Sequence, residues 1–490
     1  MLEKDSNRPA EITRPPADSV PLCVDLDGTL IRTDVLWESL VQLVKRRPLQ
    51  ALAIPFWWSR GRANLKREIA ARVELDVAVL PYHQPFLAYL RTEHRAGRTL
   101  ILATAADRRL AEPVARHIGL FADVVASDGT TNLRGHNKVR HLTERLGPRG
   151  FDYAGNSTVD LPVWQGSRRA LVVNADERLA QRARKLTEVS HVFNEPRRLL
   201  AALIGALRPH QWVKNLIILV PLLTSHQLVP SALLANALLA FAAFSLAASA
   251  VYGLNDLLDM EADRHHPSKR ARPLAAGTLS VPVGFGLALG CFCLSIVLAL
   301  LLPPPFLLVL GGYFVLTTAY SLRLKQLALV DVFFLAVLYT MRLIAGHAAT
   351  GIKYSPWLLA FSMFLFLSLA LVKRFTELRT LRADKEQDAR GRGYSARDLE
   401  FLATLGIVNG GLAVLVLALY VHSPEVAGLY HSPILLLAVC PLLLYWISRV
   451  WLLAHRGLVH DDPIVFALRD AVSYAIGGAT LAILWLATHW

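Results

Sequence analysis

Cysteine is nearly absent from this chain: four in 490 residues, too few and too scattered for a disulfide framework. Cys23, Cys291, Cys293 and Cys440 show no metal-ligand spacing, and three of them lie in apolar runs where a thiol packs as a small hydrophobe. Charge is scarce as well. Asp, Glu, Lys and Arg make up 18% of the residues against 54% hydrophobic, and a mean hydropathy of +0.38 is too apolar for an ordinary soluble protein. Bases outnumber acids, 52 to 38, leaving a formal charge of +14. Membrane topology and anionic lipid account for that excess, so it indicates no nucleic-acid partner. Nor does an apolar leader open the sequence. Residues 1–19 are polar and Pro-rich and read as a disordered tail, so the domain that follows is expected to stay in the cytoplasm.

What is present is unevenly spread. Residues 20–200 are charge-rich and globular in pattern, whereas over 205–490 long apolar runs alternate with short polar loops. Nine runs read as membrane spans: about 212–227, 232–254, 279–301, 303–320, 328–349, 356–373, 401–421, 433–453 and 464–488, the first of them short. With the N-terminus inside, the cytoplasmic loops collect Arg264, Lys269, Arg270, Arg272, Arg323, Lys325 and a dense group from Lys373 to Arg397, while the opposite loops show only Lys353. This asymmetry supports both the count and the orientation.

In the globular part, the apolar run ending at Val24 delivers Asp25-Leu-Asp27-Gly28, the pattern of a buried parallel strand with a phosphate and Mg²⁺ site at its C-terminal end. Leu100–Thr104 is a second apolar strand ending in a hydroxyl, Lys138 begins a helical pattern, and Asp152-Tyr-Ala-Gly-Asn156-Ser-Thr-Val-Asp160 is a third strand end. Together these segments resemble the haloacid dehalogenase (HAD) superfamily of aspartyl-phosphate phosphatases. The resemblance implies an α/β Rossmann-like domain with a small helical cap over about 35–98. It implies Asp25 as nucleophile, Asp27 as general acid and base, Thr104 and Lys138 on the phosphoryl group, and Asp25, Asp27, Asn156 and Asp160 around Mg²⁺. Asn156 stands where the family usually has a metal-binding Asp, so an inactive domain used for docking is the other reading. Within the cap, Trp57 and Trp58 with Arg60 and Arg62 fit either an interfacial membrane contact or ordinary packing.

In the apolar part, Asp256, Asp259 and Asp263 are spaced i, i+3, i+7, which stacks three carboxylates on one helix face beside Asn255. Charges at membrane depth cost about 2.5–3.5 kcal/mol each on insertion scales, so such a cluster needs a partner, and a divalent cation is the natural one. Arg264, Lys269, Arg270 and Arg272 follow at once, and a row of cations suits phosphate as the cargo. Arg342 lies within the fifth run and Arg469-Asp470 within the last, where a structural ion pair is the default. These features, with an acidic loop containing Asp384 and Asp388, resemble the UbiA superfamily of intramembrane prenyltransferases, an all-α bundle expected here with nine transmembrane helices. Three segments, Arg208–Asn215, Glu261–Pro273 and Lys373–Leu378, are more similar to its polyprenyl-phosphate phosphoribosyltransferase branch.

That resemblance implies a Mg²⁺-dependent protein of a bacterial inner membrane that moves phosphoribose from phosphoribosyl pyrophosphate (PRPP) to a polyprenyl phosphate. Asp256, Asp259 and Asp263 would be catalytic and metal-binding, with Asp384 and Asp388 as a second metal site. Lys269, Arg272 and Lys325 would hold the leaving group; Lys214, Lys373 and Arg374 would take the remaining phosphates, and Asn255, Tyr320, Arg342 and Glu377 complete the expected substrate-binding set. The alternative is a prenyl diphosphate donor with an aromatic acceptor; a transporter or scaffold is a third class, and a homo-oligomer is compatible with any of them.

Overall fold

The computed structural model describes residues 20–128, 131–194, 198–225, 231–383, 393–423, 426, 428–459 and 463–490. The expected tail over 1–19 and the expected metal residues Asp384 and Asp388 lie outside the described residues. Packing divides the chain into two units: the residues up to Ala206 with Gly253–Gly286, and Leu207–Tyr252 with Leu287–Trp490.

The first unit is built on a six-stranded sheet in the order β3-β2-β1-β4-β5-β6. Its strands are β1 (Leu22–Val24), β2 (Leu100–Asp107), β3 (Asp123–Ser127), β4 (Asp152–Gly155), β5 (Arg169–Val173) and β6 (Glu188–Phe193), and every pair is parallel. Alternate residues serve opposite faces. Leu22, Val24, Leu100, Leu102, Leu171 and Val173 pack with Phe86, Leu90, Leu110 and Val114 on one side. Cys23, Ile101, Ala103, Tyr153, Ala170 and Val172 pack with Leu142, Trp164 and Leu179 on the other. Both faces are covered, which is why the strands read as continuous apolar runs. Strand order reverses between β1 and β4, and the crevice at that switch point lies outside the carboxyl ends of the strands.

The insert between β1 and β2 is helical. Helix α1 (Val35–Arg46) starts where the Asp34 side chain accepts the Leu36 and Trp37 N–H groups. It packs with the segments that follow through Leu43, Trp57, Ile69 and Val73, and the Arg72 guanidinium lies 4.6 Å from the centre of the Trp57 ring. Neighbours on a helix point about 100° apart, and the tryptophan pair divides accordingly: Trp57 is 7% exposed and Trp58 62%.

In the second unit, Ala240, Ala243 and Ala247 of helix Ser231–Leu258 let Phe306, Leu310 and Tyr313 approach, and Ala345, Ala348 and Ala349 complete the contact. Small residues at such interfaces are what let apolar helices close on one another without a hydrophobic drive between them. A second core joins helices Val330–Thr350, Pro356–Ala383, Leu399–Val421 and Val439–Arg456. There a Cβ on Gly406 would fall 2.0 Å from the Trp451 ring, so only glycine fits beneath that indole. Its N–H reaches Ser368 Oγ at 3.1 Å.

Among the described residues, eight helices are long and apolar enough to cross a membrane, where nine runs had been expected. The difference is the run at 212–227. It forms a 3₁₀ helix over Pro209–Leu219 and a short α-helix over Val220–Thr224. Pro221 lacks the N–H that a continuous ladder needs, and the preceding turn is held by side chains, with Asn215 donating to Ser245 Oγ at 3.0 Å. The last expected run, 464–488, contains a short helix, Pro463–Ala467, before the long one, Ala471–His489.

The cap supplies a test of its own core. Trp57→Ala should cost about 3–5 kcal/mol, as aromatic truncations in cores do, and lower the melting temperature of the detergent-solubilised protein. Trp58→Ala should stay within about 0.5 kcal/mol; equal effects would contradict the packing described.

Candidate functional sites

Three chain segments meet at the switch point of the sheet. Asp25 follows β1, its N–H bonded to the Ala154 carbonyl of β4 at 3.0 Å. Gly28, at φ +73°, turns the chain back, and a Cβ there would lie 2.1 Å from the Asn156 amide nitrogen, so glycine is what allows the two loops to close together. Lys138, in helix His136–Leu146, donates to Asp25 Oδ1 at 2.8 Å and to the Tyr153 hydroxyl at 2.7 Å. The Tyr153 hydroxyl in turn donates to Asp160 Oδ1 at 3.0 Å. Asp160 Oδ2 accepts from the Asn156 N–H, the Ser157 N–H and the Ser157 hydroxyl. Asp160 thus braces the loop that presents Asn156, using both of its oxygens.

Burial pushes the Asp25 carboxyl up to about 6, against the pull of Lys138. Asp27 is raised well above the ordinary carboxylate range by burial and by the neighbouring Asp34 and Asp25, while its Oδ1 accepts the Val35 N–H at 2.8 Å. Both carboxyls are raised, and surroundings that set two adjacent acids apart suit one to attack and the other to give a proton. A cavity of about 660 Å³ opens above them. Its floor is polar, with Asp25, Asp27, Lys138, Asn156, Ser157 and Asp160; its wall is apolar, with Leu36, Trp37, Leu40, Ile54, Trp58, Leu65 and Ile69 from the helical insert.

Thr104 is fully buried within β2, just past Leu102, the last residue paired with β1; its hydroxyl accepts the Ala106 N–H at 3.0 Å, and Ala105 is the residue of that strand on the cavity wall. The sequence reading passed over Lys66, which reaches from the insert to the Ala105 carbonyl at 2.6 Å and to Asn132 Oδ1 at 3.3 Å. It also passed over Tyr153, whose place one residue into β4 was the available signal.

The second cluster lies in Gly253–Gly286 of the same unit. Asp256 and Asp263 converge on one guanidinium nitrogen, Arg272 Nη1, at 3.1 and 2.6 Å. Asp259 Oδ1 accepts from Lys45 Nζ at 2.9 Å, and Glu261 from Arg46 at 2.7 Å, both cations belonging to α1. Arg264 forms a two-pronged pair with Glu38 of α1, at 2.6 and 3.1 Å, with side chains only 6% and 3% exposed. Lys269 opens the 3₁₀ turn Lys269–Ala271, and Asn255 sits one position before Asp256 near the end of helix Ser231–Leu258. Neither Lys45 nor Glu38 had been expected here, and no local pattern points to partners more than two hundred positions away.

Among the described residues, no three His, Cys, Asp or Glu side chains stand close enough to share a metal ion. Basic side chains occupy the carboxylates instead. The donor set nevertheless fits Mg²⁺ in its chemistry: it consists of oxygens, and two carboxylates converge on a single cationic group.

The second unit gathers a third group. Lys214 is buried with its ammonium 5.8 Å from the Tyr339 ring centre. Arg342 donates to Asn215 Oδ1 at 2.8 Å and lies 5.3–5.6 Å from the rings of Tyr339, Tyr313 and Phe244. Arg374, fully buried, pairs with Asp331 at 2.6 Å and with Glu377, and the Tyr394 hydroxyl donates to Asp331. Lys373 is adjacent; Tyr320 lies in the last turn of helix Pro304–Leu322, and Lys325 lies in the turn Leu324–Gln326. Asp470 gives its carboxylate to Arg449, at 2.7 and 3.0 Å, and accepts the Ser473 N–H, so the ion pair expected with the neighbouring Arg469 is made with Arg449.

Residues 216–469 match the UbiA prenyltransferase family and residues 22–165 the haloacid dehalogenase-like hydrolases. The chain belongs to the UbiA prenyltransferase family. This UbiA-family chain, with its N-terminal HAD-like domain, is 39% identical to the uncharacterized protein y4nM of Sinorhizobium fredii over 94% of its own length and 89% of the relative's. It is 38% identical to the nodulation protein NoeC of Azorhizobium caulinodans, over 57% of this chain and 92% of that one. Against the decaprenyl-phosphate phosphoribosyltransferase of Mycobacterium tuberculosis the identity is 32%, over 61% of this chain and 96% of that one. Among solved structures, a UbiA homolog from Archaeoglobus fulgidus bound to GPP and Mg²⁺ aligns with 17% identity and a TM-score of 0.45, covering 58% of this chain and 99% of that chain.

The buried pair in the second unit makes a further expectation measurable. Asp331→Ala strands the Arg374 charge and should cost about 3–5 kcal/mol of stability. Glu377→Ala, whose side chain is 42% exposed, should cost about 1 kcal/mol or less. Melting temperatures of the two variants in one detergent rank them; the reverse order would contradict the pairing.

Proposed function

We propose that this protein is an integral membrane transferase that moves phosphoribose from PRPP to a polyprenyl phosphate, and that its HAD domain, on the cytoplasmic side, removes the 5-phosphate from the product. The observation that carries the first half is the full-length match to a decaprenyl-phosphate phosphoribosyltransferase, 96% of which the chain covers. The convergence of Asp256 and Asp263 on one positive atom supports it. Asp256, Asp259 and Asp263, aided by Asn255, would hold Mg²⁺, and Asp384 and Asp388 would take a second ion. Bound Mg²⁺ supplies charge neutralisation on the pyrophosphate oxygens.

The residues themselves position and neutralise. Arg272, Lys269 and Lys325 take the leaving group, and Lys214, Lys373, Arg374, Arg342, Tyr320 and Glu377 serve the remaining phosphates and their orientation. An oxygen of the lipid phosphate forms its bond to the anomeric carbon as the bond from that carbon to pyrophosphate oxygen breaks, the electron pair leaving with pyrophosphate. The nucleophile arrives ionised, so no general base is required, and rate comes from placement and charge stabilisation.

In the HAD domain, Asp25 attacks phosphorus while Lys138 neutralises the phosphoryl oxygens. Asp27, its carboxyl raised by burial, protonates the departing sugar oxygen and afterwards takes a proton from the water that hydrolyses the aspartyl phosphate. Thr104 and Asp160 brace the strand ends. Asn156 offers a carbonyl oxygen without charge, which weakens the hold on Mg²⁺ without removing a ligand. The apolar wall of the cavity suits a phosphate carried on a lipid.

Purified protein given Mg²⁺, PRPP and a polyprenyl phosphate should release pyrophosphate and form a phosphoribosylated lipid. Asp256→Ala should slow this roughly 100-fold or more, the scale seen when a charge-stabilising group is lost. Reaction with a prenyl diphosphate and an aromatic acid instead would move the protein to the aromatic branch. For phosphate-monoester hydrolysis, Asp25 must be ionised to attack. The rate at limiting Mg²⁺ should therefore fall as pH drops through about 6, and added Mg²⁺ should shift that limb to lower pH, because a bound cation favours the ionised carboxylate. A Mg²⁺-independent limb in the ordinary carboxylate range would contradict the assignment.

A further inference from the structure

Helix α1 belongs to the HAD insert, yet its faces serve two different sites. Leu36, Trp37 and Leu40 line the cavity above Asp25. Glu38, Gln42 and Lys45 recur at i, i+4, i+7 and share the opposite face. That face is anchored on the aspartate-rich segment by the buried Glu38–Arg264 pair. The anchor sets Lys45 against Asp259 and Arg46 against Glu261, pairs that are well exposed. The contrast separates their roles. A buried two-pronged pair fixes where the helix sits, whereas an exposed ammonium–carboxylate contact exchanges readily when a stronger partner arrives.

We propose that Lys45 is a substrate-binding residue of the transferase, supplied by the phosphatase domain. The inference rests on the reading of Asp256, Asp259 and Asp263 as the Mg²⁺-pyrophosphate site. When Asp259 turns to the cation, the Lys45 ammonium is left at the same place beside the pyrophosphate oxygens, the group it suits best after a carboxylate. Arg272 would make the same exchange from Asp256 and Asp263, but it belongs to the same segment, Gly253–Gly286, as those aspartates. Lys45 is the counterpart contributed from outside that segment. At about 1.5 Å rise per residue, Lys45 stands roughly 13 Å along the axis from Leu36 on the phosphatase cavity. One rigid helix therefore touches both the site where the sugar phosphate is delivered and the site where it is hydrolysed.

The test uses the full-length protein in detergent with inorganic pyrophosphate and Mg²⁺ as probes, by calorimetry. Lys45→Gln should weaken pyrophosphate about tenfold, the value of one charged hydrogen bond, while Lys45→Arg recovers most of it. In turnover the same variant should raise KM for PRPP about tenfold and leave kcat within about twofold, as loss of uniform binding does. Melting temperatures confirm that the exposed position tolerates both changes. If Lys45→Gln binds pyrophosphate as well as the parent while Asp256→Ala does not bind it, this inference is overturned and the transferase reading stands. If Asp256→Ala also binds normally, the reading itself falls, and the inference with it.

Discussion

Carboxylates gathered for phosphate chemistry repel one another, and in an apolar chain they cannot be left without counter-charge. The structure meets this constraint for four of them with a basic partner, Lys138 for Asp25, Arg272 for Asp256 and Asp263, and Lys45 for Asp259, and for Asp27 and Asp160 with N–H and hydroxyl donors. The pairing does more than neutralise. In the proposed reaction these cations would stand where phosphate oxygens are to be held, and a metal-bearing anion would meet both signs of charge already in place. Such preorganisation is what lowers the cost of charge redistribution during reaction.

Helix α1 depends on that arrangement. Its capped start presents Leu36 and Trp37 to the cavity above Asp25, and its last turn reaches the aspartate-rich segment. Gly253–Gly286 accordingly packs in one unit with the sheet domain, although it stands far away in sequence. Glu38 and Arg264 secure the contact, and neither would be tolerated so deeply buried alone.

Much of the fold could be read from the chain because its signals are local. Strand ends carrying Asp25, Thr104 and Asn156 stand out where an apolar run meets a polar turn, and the sheet places all three at its carboxyl edge. Long apolar runs give spans by length alone, and among the described residues eight helices follow. The run at 212–227 misled because hydropathy ignores Pro221 and the polar bonds of Asn215. Pairings such as Glu38–Arg264 and Lys45–Asp259 were invisible for a different reason: they join residues more than two hundred positions apart, and no periodicity encodes them. Trp57 and Trp58 looked alike in sequence, and only the direction of each side chain on its helix separates them.

The central claim is that two sites in one polypeptide act in series on one sugar, and the fate of a single atom decides it. Full-length protein would be given Mg²⁺, a polyprenyl phosphate and PRPP carrying ³²P in its 5-phosphate, and the label followed into lipid and inorganic phosphate with time. The account predicts that label enters lipid first and then appears as inorganic phosphate, and that Asp25→Asn holds it in the lipid. Label that stays in lipid with the parent protein, or that reaches inorganic phosphate without ever entering lipid, would contradict it.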